Sequence, residues 1–228
     1  MSTQLIFLPG MMCDERLFAP QIAELGGLNL MFGREDNSVE AMATRLLQTP
    51  GKLALIGLSM GGIVAMEMLR QAPDRIERIA LLDTNPLAEK PEVKARRVPQ
   101  MQAVRDGRLS DVMQRELIPN YLTEGPKKQD ISDLCLDMAL KEGDDVFLNQ
   151  SEALRDRPDQ TDTLREFQGP ALVLCGRDDA LCPISRHELM HDLLSQSTLT
   201  IIEGAGHLPT LEQPFQTTAA LRRWLELS

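Results

Sequence analysis

KLALIGLSMGGIVAMEMLRQA, residues 52–72, decides the fold. It opens with an apolar run of strand length, and it closes with apolar residues at helical spacing that stop before Pro73. Between the two lies G-x-S-x-G, Gly57 to Gly61, with Ser59 at the turn. A serine between glycines is chemically useful only in such a strand–turn–helix setting. The turn must be sharp enough to lift the hydroxyl above a sheet. This strains the serine backbone, and Gly57 and Gly61 carry no side chains to collide across it. The helix beyond Ser59 would turn its positive end toward the hydroxyl, and the amide of Met60 would donate to a developing oxyanion. A glycine-rich junction that merely packs closely is the plainer reading, and the flanking strand and helix weigh against it.

Further short apolar runs bounded by turn residues lie at 4–8 (QLIFL), 28–32 (LNLMF), 78–83 (RIALLD), 171–176 (ALVLCG) and 199–204 (LTIIEG). Each is apolar at nearly every position, as in strands covered on both faces. Helical patterns lie between most of them: VEAMATRLLQ with Ser38 or a neighbour as a cap, the run from Gly61 to Pro73, and QTTAALRRWLEL near the end. Strand–helix alternation predicts an α/β fold with a mostly parallel, six-stranded sheet. The alternation breaks between Pro86 and about Gln168, a charged region with helical stretches such as DISDLCLDMALKEG. It begins at the carboxyl edge of a strand, where open α/β sheets place their ligands. We therefore expect a core of 1–85 and 168–228 with a helical cap, 86–167, inserted over the site.

Composition narrows the function. At 228 residues, with 43% hydrophobic and 25% charged, the chain suits one globular domain with an insertion. A net charge of −10 argues against a nucleic-acid binder or a surface that adheres to anionic membranes. The N-terminal run lacks a basic leader, and the longest uncharged stretch, Leu53 to Met66, is 14 residues, too short to span a bilayer. Four scattered cysteines, Cys13, Cys135, Cys175 and Cys182, form no C-x-x-C pair. Together these features predict a cytoplasmic protein with idle thiols.

A serine needs a base, and the base an orienting acid. Of three histidines, His207 follows a strand-like segment in the loop GAGH, whose glycines allow close approach. Upstream, ALVLCGRDDALCP ends a strand with Asp178 and Asp179, either of which could orient the histidine. A second oxyanion donor should come from the loop after an earlier strand, and LIFLPGMM offers the amide of Met11.

With these elements assembled, the chain resembles the α/β-hydrolase superfamily along nearly its whole length. LPGMMCDERLF looks like the oxyanion-loop segment, GLSMGG like the nucleophile elbow, GRDDALCP like the acid loop and GAGHLPTLEQP like the histidine loop. The family pattern G-x-x-D-x-x-x-P aligns Gly176 and Pro183, which makes Asp179 the acid. Some relatives carry the acid one strand earlier, here Asp83. Two departures stand out. The sequence starts at the oxyanion strand, so we expect a sheet without the antiparallel hairpin that usually precedes it, and Pro9-Gly10 stands in place of a His-Gly pair.

The resemblance implies a small esterase-like serine hydrolase with a catalytic triad of Ser59, Asp179 and His207 and no cofactor. Its substrate would be a carboxylic ester, lactone or thioester of a small to medium apolar acyl group. Met11, Met12 and Met60 are expected around the site, with Met12 as a substrate-binding candidate. Carbon–carbon hydrolase, lyase and perhydrolase chemistries occur on the same scaffold, as do ligand-binding receptors. The cap opens with Lys90, Lys94, Arg96, Arg97, Arg105 and Arg108 against Glu92 and Asp106, a local +4 suited to an anionic substrate or an acidic carrier protein.

A second motif competes. HELMH, 187–191, fits the zinc pattern H-E-x-x-H, with Glu188 as base and Glu212 available as a third ligand. It falls in a helix between two strands, with Leu189, Met190, Leu193 and Leu194 as its buried side and the histidines expected near solvent. We read the match as chance and expect no metal.

Overall fold

The computed structural model describes residues 3–226. Six strands, β1 (Gln4–Leu8), β2 (Leu28–Asn29), β3 (Leu53–Leu58), β4 (Ile76–Leu82), β5 (Ala171–Gly176) and β6 (Ser197–Ile202), form one sheet in the order β2-β1-β3-β4-β5-β6. Every pairing is parallel. Helices α1 (Ala19–Leu25), α2 (Val39–Leu46) and α3 (Met60–Gln71) belong to the first half. Between β4 and β5 come α4 (Pro91–Arg105), α5 (Leu109–Val112), α6 (Lys128–Glu142), α7 (Asp144–Asp156) and α8 (Thr161–Glu166). The chain ends with α9 (Ile184–Leu193), α10 (Pro209–Glu212) and α11 (Pro214–Leu225). This is the α/β-hydrolase architecture. Among the described residues no helix is long and apolar enough to cross a membrane.

The unbroken apolar runs become central strands because both faces of the sheet are covered. β3 and β5 are buried at every position. Ile6 and Leu8 pack with α2 and α3 on one face, while Phe7 joins the opposite core with Phe18, Leu221 and Trp224. That second core continues into the segment between β4 and β5 through Met101, Val112, Ile131, Met138 and Phe147, so most of this helical insertion shares its interior with the sheet. Its last helix, α8, instead packs on the opposite side, against α3 and α9.

Of the candidate caps around Ser38, Ser38 itself caps α2, its Oγ accepting the Ala41 N–H at 3.2 Å. The run 28–32 gives only the two-residue edge strand β2. After Leu30, whose N–H reaches Phe7 O, Phe32 turns into the core and Gly33 takes φ +88°, which ends the extended conformation. Strand β4 stops at Leu82 because Asp83 adopts φ +44°.

Candidate active site

The turn between β3 and α3 is as tight as its glycines suggest. Ser59 has φ +54° and ψ −114°, a conformation that costs a non-glycine residue about 1–3 kcal/mol and must be held by its surroundings. Its N–H donates to Leu82 O at 2.8 Å, and its carbonyl accepts from Thr84 Oγ1 at 2.7 Å and from the amides of Gly62 and Ile63. A Cβ on Gly61 would lie 1.9 Å from Leu8 O, and one on Gly57 2.4 Å from Gly61 O. The two glycines therefore let α3 start against the ends of β1 and β3. The Ser59 side chain caps nothing in the helix it precedes, so its hydroxyl is not drawn into helix capping.

The loops after β5 and β6 meet equally closely. A Cβ on Gly176 would sit 1.9 Å from Gly206 O, so only glycine lets the two loops touch. Across this contact His207 Nδ1 lies 2.9 Å from Asp179 Oδ2, with both residues buried. Asp179 Oδ1 accepts the amides of Leu181 (2.8 Å) and Cys182 (3.0 Å). Burial alone would raise the Asp179 carboxyl, but the charge and hydrogen bond of His207 and the two amides hold it below the usual carboxylate range. Its neighbour Asp178 is exposed. Asp83, the other candidate acid, is fully buried and accepts the Gly176 N–H at 2.8 Å on Oδ1. Burial, and then the adjacent Asp179 charge, push its carboxyl well above the usual carboxylate range.

The loop after β1 closes the arrangement. A Cβ on Gly10 would stand 3.7 Å from that of Ser59. The amides of Met11 and Met60, which follow Gly10 and Ser59, have no hydrogen-bond partner among the described residues. Gly10, Met11, Ser59 and His207 line one cavity of about 570 Å³, bounded on its far side by Val93, Leu117, Tyr121 and Leu154 of the insertion.

A sequence model of the alpha/beta hydrolase family matches residues 17–221. The chain belongs to the alpha/beta hydrolase family. It is similar to a thermophilic esterase from Thermogutta terrifontis, solved with malate bound, at 30% identity and a TM-score of 0.88 over 99% of this chain and 90% of that one. It is 27% identical to the biotin biosynthesis bifunctional protein BioHC of Teredinibacter turnerae over 97% of this chain, which spans only 44% of that protein's length. It is 25% identical to the pimeloyl-[acyl-carrier protein] methyl ester esterase of Nitrosomonas europaea, over 79% of this chain and 73% of that protein.

Within this hydrolase fold some expectations need correcting. Of the three methionines expected around the site, only Met11 lines the cavity. Met12 takes φ +57° and is buried in the core on one face of the sheet, and the Met60 side chain is buried in the other. Neither side chain is placed to touch a substrate.

The HELMH histidines are not both near solvent either. His187 is fully buried, and its Nε2 accepts the Thr84 N–H at 3.2 Å, which puts its proton on Nδ1, 3.4 Å from Pro183 O. Burial lowers its pKa to about 4. His191 Nδ1 bonds Ser197 Oγ at 2.7 Å. Glu212, the proposed third ligand, instead accepts the amides of Thr123 (2.9 Å), Gly206 (2.9 Å) and Leu208 (3.2 Å), bracketing His207.

Among the described residues only Asp179, Cys182 and His207 bring three potential ligand atoms within 4.8 Å of one another. Binding a cation there would break the His207–Asp179 hydrogen bond and deprotonate a thiol that burial pushes well up, so the donor set is a poor one.

Sequence reasoning missed several residues. Gln150 on α7 is buried, accepts the Met12 N–H at 2.9 Å and donates to Phe32 O at 3.2 Å. Tyr121 accepts the His207 N–H on its carbonyl at 2.7 Å, with its ring 5.8 Å from the imidazole. Arg157, Arg186 and Glu89 line the cavity. None sits in a local motif, because each reaches the site only through the packing of the insertion and of α9.

Proposed function

We propose that the chain hydrolyses carboxylic esters of small to medium acyl groups through an acyl-enzyme on Ser59. The observation that carries this reading is the meeting, in one cavity, of a serine held at a strained elbow and a histidine already oriented by a buried carboxylate. His207 takes the Ser59 proton as the oxygen attacks the carbonyl. The amides of Met11 and Met60 hold the tetrahedral oxyanion, and one such donor is worth about 100–1,000-fold in rate. Asp179 fixes the imidazole tautomer and stabilises the imidazolium, which protonates the leaving alcohol. Water then attacks the acyl-enzyme with His207 as base, returning the acid and free Ser59. This cycle needs no metal or organic cofactor.

In this reading residues 86–167 are the cap, and their part up to Arg157 supplies the far wall of the cavity. The esterase names of the relatives support ester cleavage, and an acyl-carrier-protein-linked ester is a substrate consistent with one of them. The free cysteines suit the reducing cytoplasmic setting we assign.

The test is a p-nitrophenyl ester series from acetate to decanoate, on wild type and Ser59→Ala, each with and without chelator. Chelator-resistant hydrolysis that vanishes in Ser59→Ala is the expected result, and the chain-length profile sizes the acyl pocket. Activity that survives Ser59→Ala and dies with chelator would overturn the proposal.

A further inference from the structure

The cavity holding Ser59 and His207 carries a charge opposite to that of the molecule. The chain has a net −10, yet Lys90, Arg96, Arg97, Arg157 and Arg186 line the cavity against two carboxylates, Glu89 and Glu116, a local +3. Glu89 is shared. Its Oε1 lies 2.6 Å from Arg157 Nη1, and its Oε2 is bonded by Arg97 Nε. Arg157 and Glu89 are both less than a tenth exposed, and Arg157 Nε is fixed by Leu87 O at 3.0 Å. Two guanidinium groups on one carboxylate leave an excess positive charge beside a buried ion pair. Such charge is unfavourable until an anion balances it. Arg96 and Arg186 also line the cavity, and neither is in an ion pair among the described residues.

We infer that this wall is an anion subsite and that the substrate is a small ester carrying a free, ionised carboxyl group, such as a half-ester of a dicarboxylic acid. The inference rests on the ester-hydrolase reading above. Arg97 and Arg157, held from behind by Glu89, set the wall's positive charge, and the unpaired guanidinium groups of Arg96 and Arg186 suit bidentate binding of a carboxylate. The alcohol or acyl portion would lie against the apolar wall, with its carbonyl at Ser59.

The arrangement favours a small anion inside the cavity over an acidic protein on the outer surface. In the basic stretch that opens the insertion, Arg97, Arg105 and Arg108 are already paired with carboxylates, and Lys90, Arg96 and Arg97 line the cavity, so that among the described basic residues of this stretch Lys94 alone is neither ion-paired nor in the cavity wall.

Monomethyl adipate and dimethyl adipate share the diacid skeleton and differ by one methyl group and one charge, so their kcat/KM ratio, taken per ester group, reads the subsite. We expect wild type to favour the monoanion at least tenfold, less so as ionic strength rises. We expect the Arg96→Met/Arg186→Met double variant to cut that ratio at least fivefold. Arg157 is left intact because its loss would strand the buried Glu89. A ratio near one in wild type, or one unchanged in the double variant, overturns the inference. A preference seen only when the half-ester is linked to an acyl carrier protein overturns it in favour of carrier recognition.

Calorimetric titration with adipate separates the two proposals. Binding that weakens at least fivefold in the double variant upholds the subsite even if no ester is turned over, in which case the hydrolase reading alone fails. No binding and no preference alongside Ser59-dependent p-nitrophenyl ester hydrolysis rejects the subsite alone.

Discussion

Replacing Gln150 by leucine tests whether the helical insertion shapes the oxyanion loop. Gln150 bridges two core segments from α7, its Oε1 accepting the Met12 N–H at 2.9 Å and its Nε2 donating to Phe32 O at 3.2 Å. Met12 follows the proposed oxyanion donor Met11 and sits at φ +57°, a conformation that needs external support. Leucine nearly preserves the volume and removes both hydrogen bonds, leaving a buried N–H and a buried carbonyl unpaired. At about 1–3 kcal/mol for such a group, the pair should cost roughly 3 kcal/mol of stability. For a chain of this size that lowers Tm by about 6–12 °C. The second effect is on rate. Losing a whole oxyanion donor costs about 100–1,000-fold, so a loosened one should lower kcat by roughly 10–100-fold and leave KM nearly unchanged, because the donor acts on the transition state alone. Steady-state kinetics on the best p-nitrophenyl ester, run well below the variant's Tm, separate the two effects. A destabilised Gln150→Leu with kcat within about threefold of wild type would refute the coupling between insertion and oxyanion loop.

Other perturbations follow from the same geometry. Gly61→Ala places a Cβ 1.9 Å from Leu8 O, a backbone clash with no relief, and should abolish soluble, cooperatively unfolding protein in an expression and melting assay. His187 is held neutral, with a pKa near 4 against about 6.5 unfolded, so the unfolded state takes up its proton first. Stability from this residue is complete above about pH 6.5 and declines toward pH 4, by up to roughly 3 kcal/mol. His187→Gln should flatten that part of the pH–Tm curve, and an unchanged slope would count against it. Asp83 has the opposite logic. Its folded carboxyl is pushed well above the unfolded one, which ionises above about pH 4, so it lowers stability as pH rises from there. Asp83→Asn should raise Tm at pH 7 relative to wild type and lose that gain near pH 3.5, while retaining esterase activity if Asp179 is the working acid.

The parts legible in the sequence were those carried by local chemistry. An apolar run, a sharp glycine turn and a helical repeat placed Ser59 at the elbow, and loop glycines beside Asp179 and His207 marked where β5 and β6 end. The same signals could not reveal which way a side chain turns when its backbone is unusual. Met12 looked like a pocket residue until its left-handed backbone placed it in the core. HELMH looked half-exposed because helical spacing says nothing of the Thr84 amide that claims His187. Glu212 attracted notice as a ligand, whereas its role is to gather three amides around the histidine loop. Gln150, Arg157 and Glu89 lie in an insertion without strand or motif, and only long-range packing brings them to the cavity.

The proposed hydrolysis depends on Ser59 being a nucleophile activated by His207. Intact-protein mass spectrometry after exposure to a fluorophosphonate, followed by peptide mapping, tests that claim without knowledge of the substrate. We expect a single adduct on Ser59, formed with loss of esterase activity and at least a hundredfold more slowly in His207→Ala. No adduct on an active protein, or labelling that maps elsewhere and tracks the loss of activity, would contradict it.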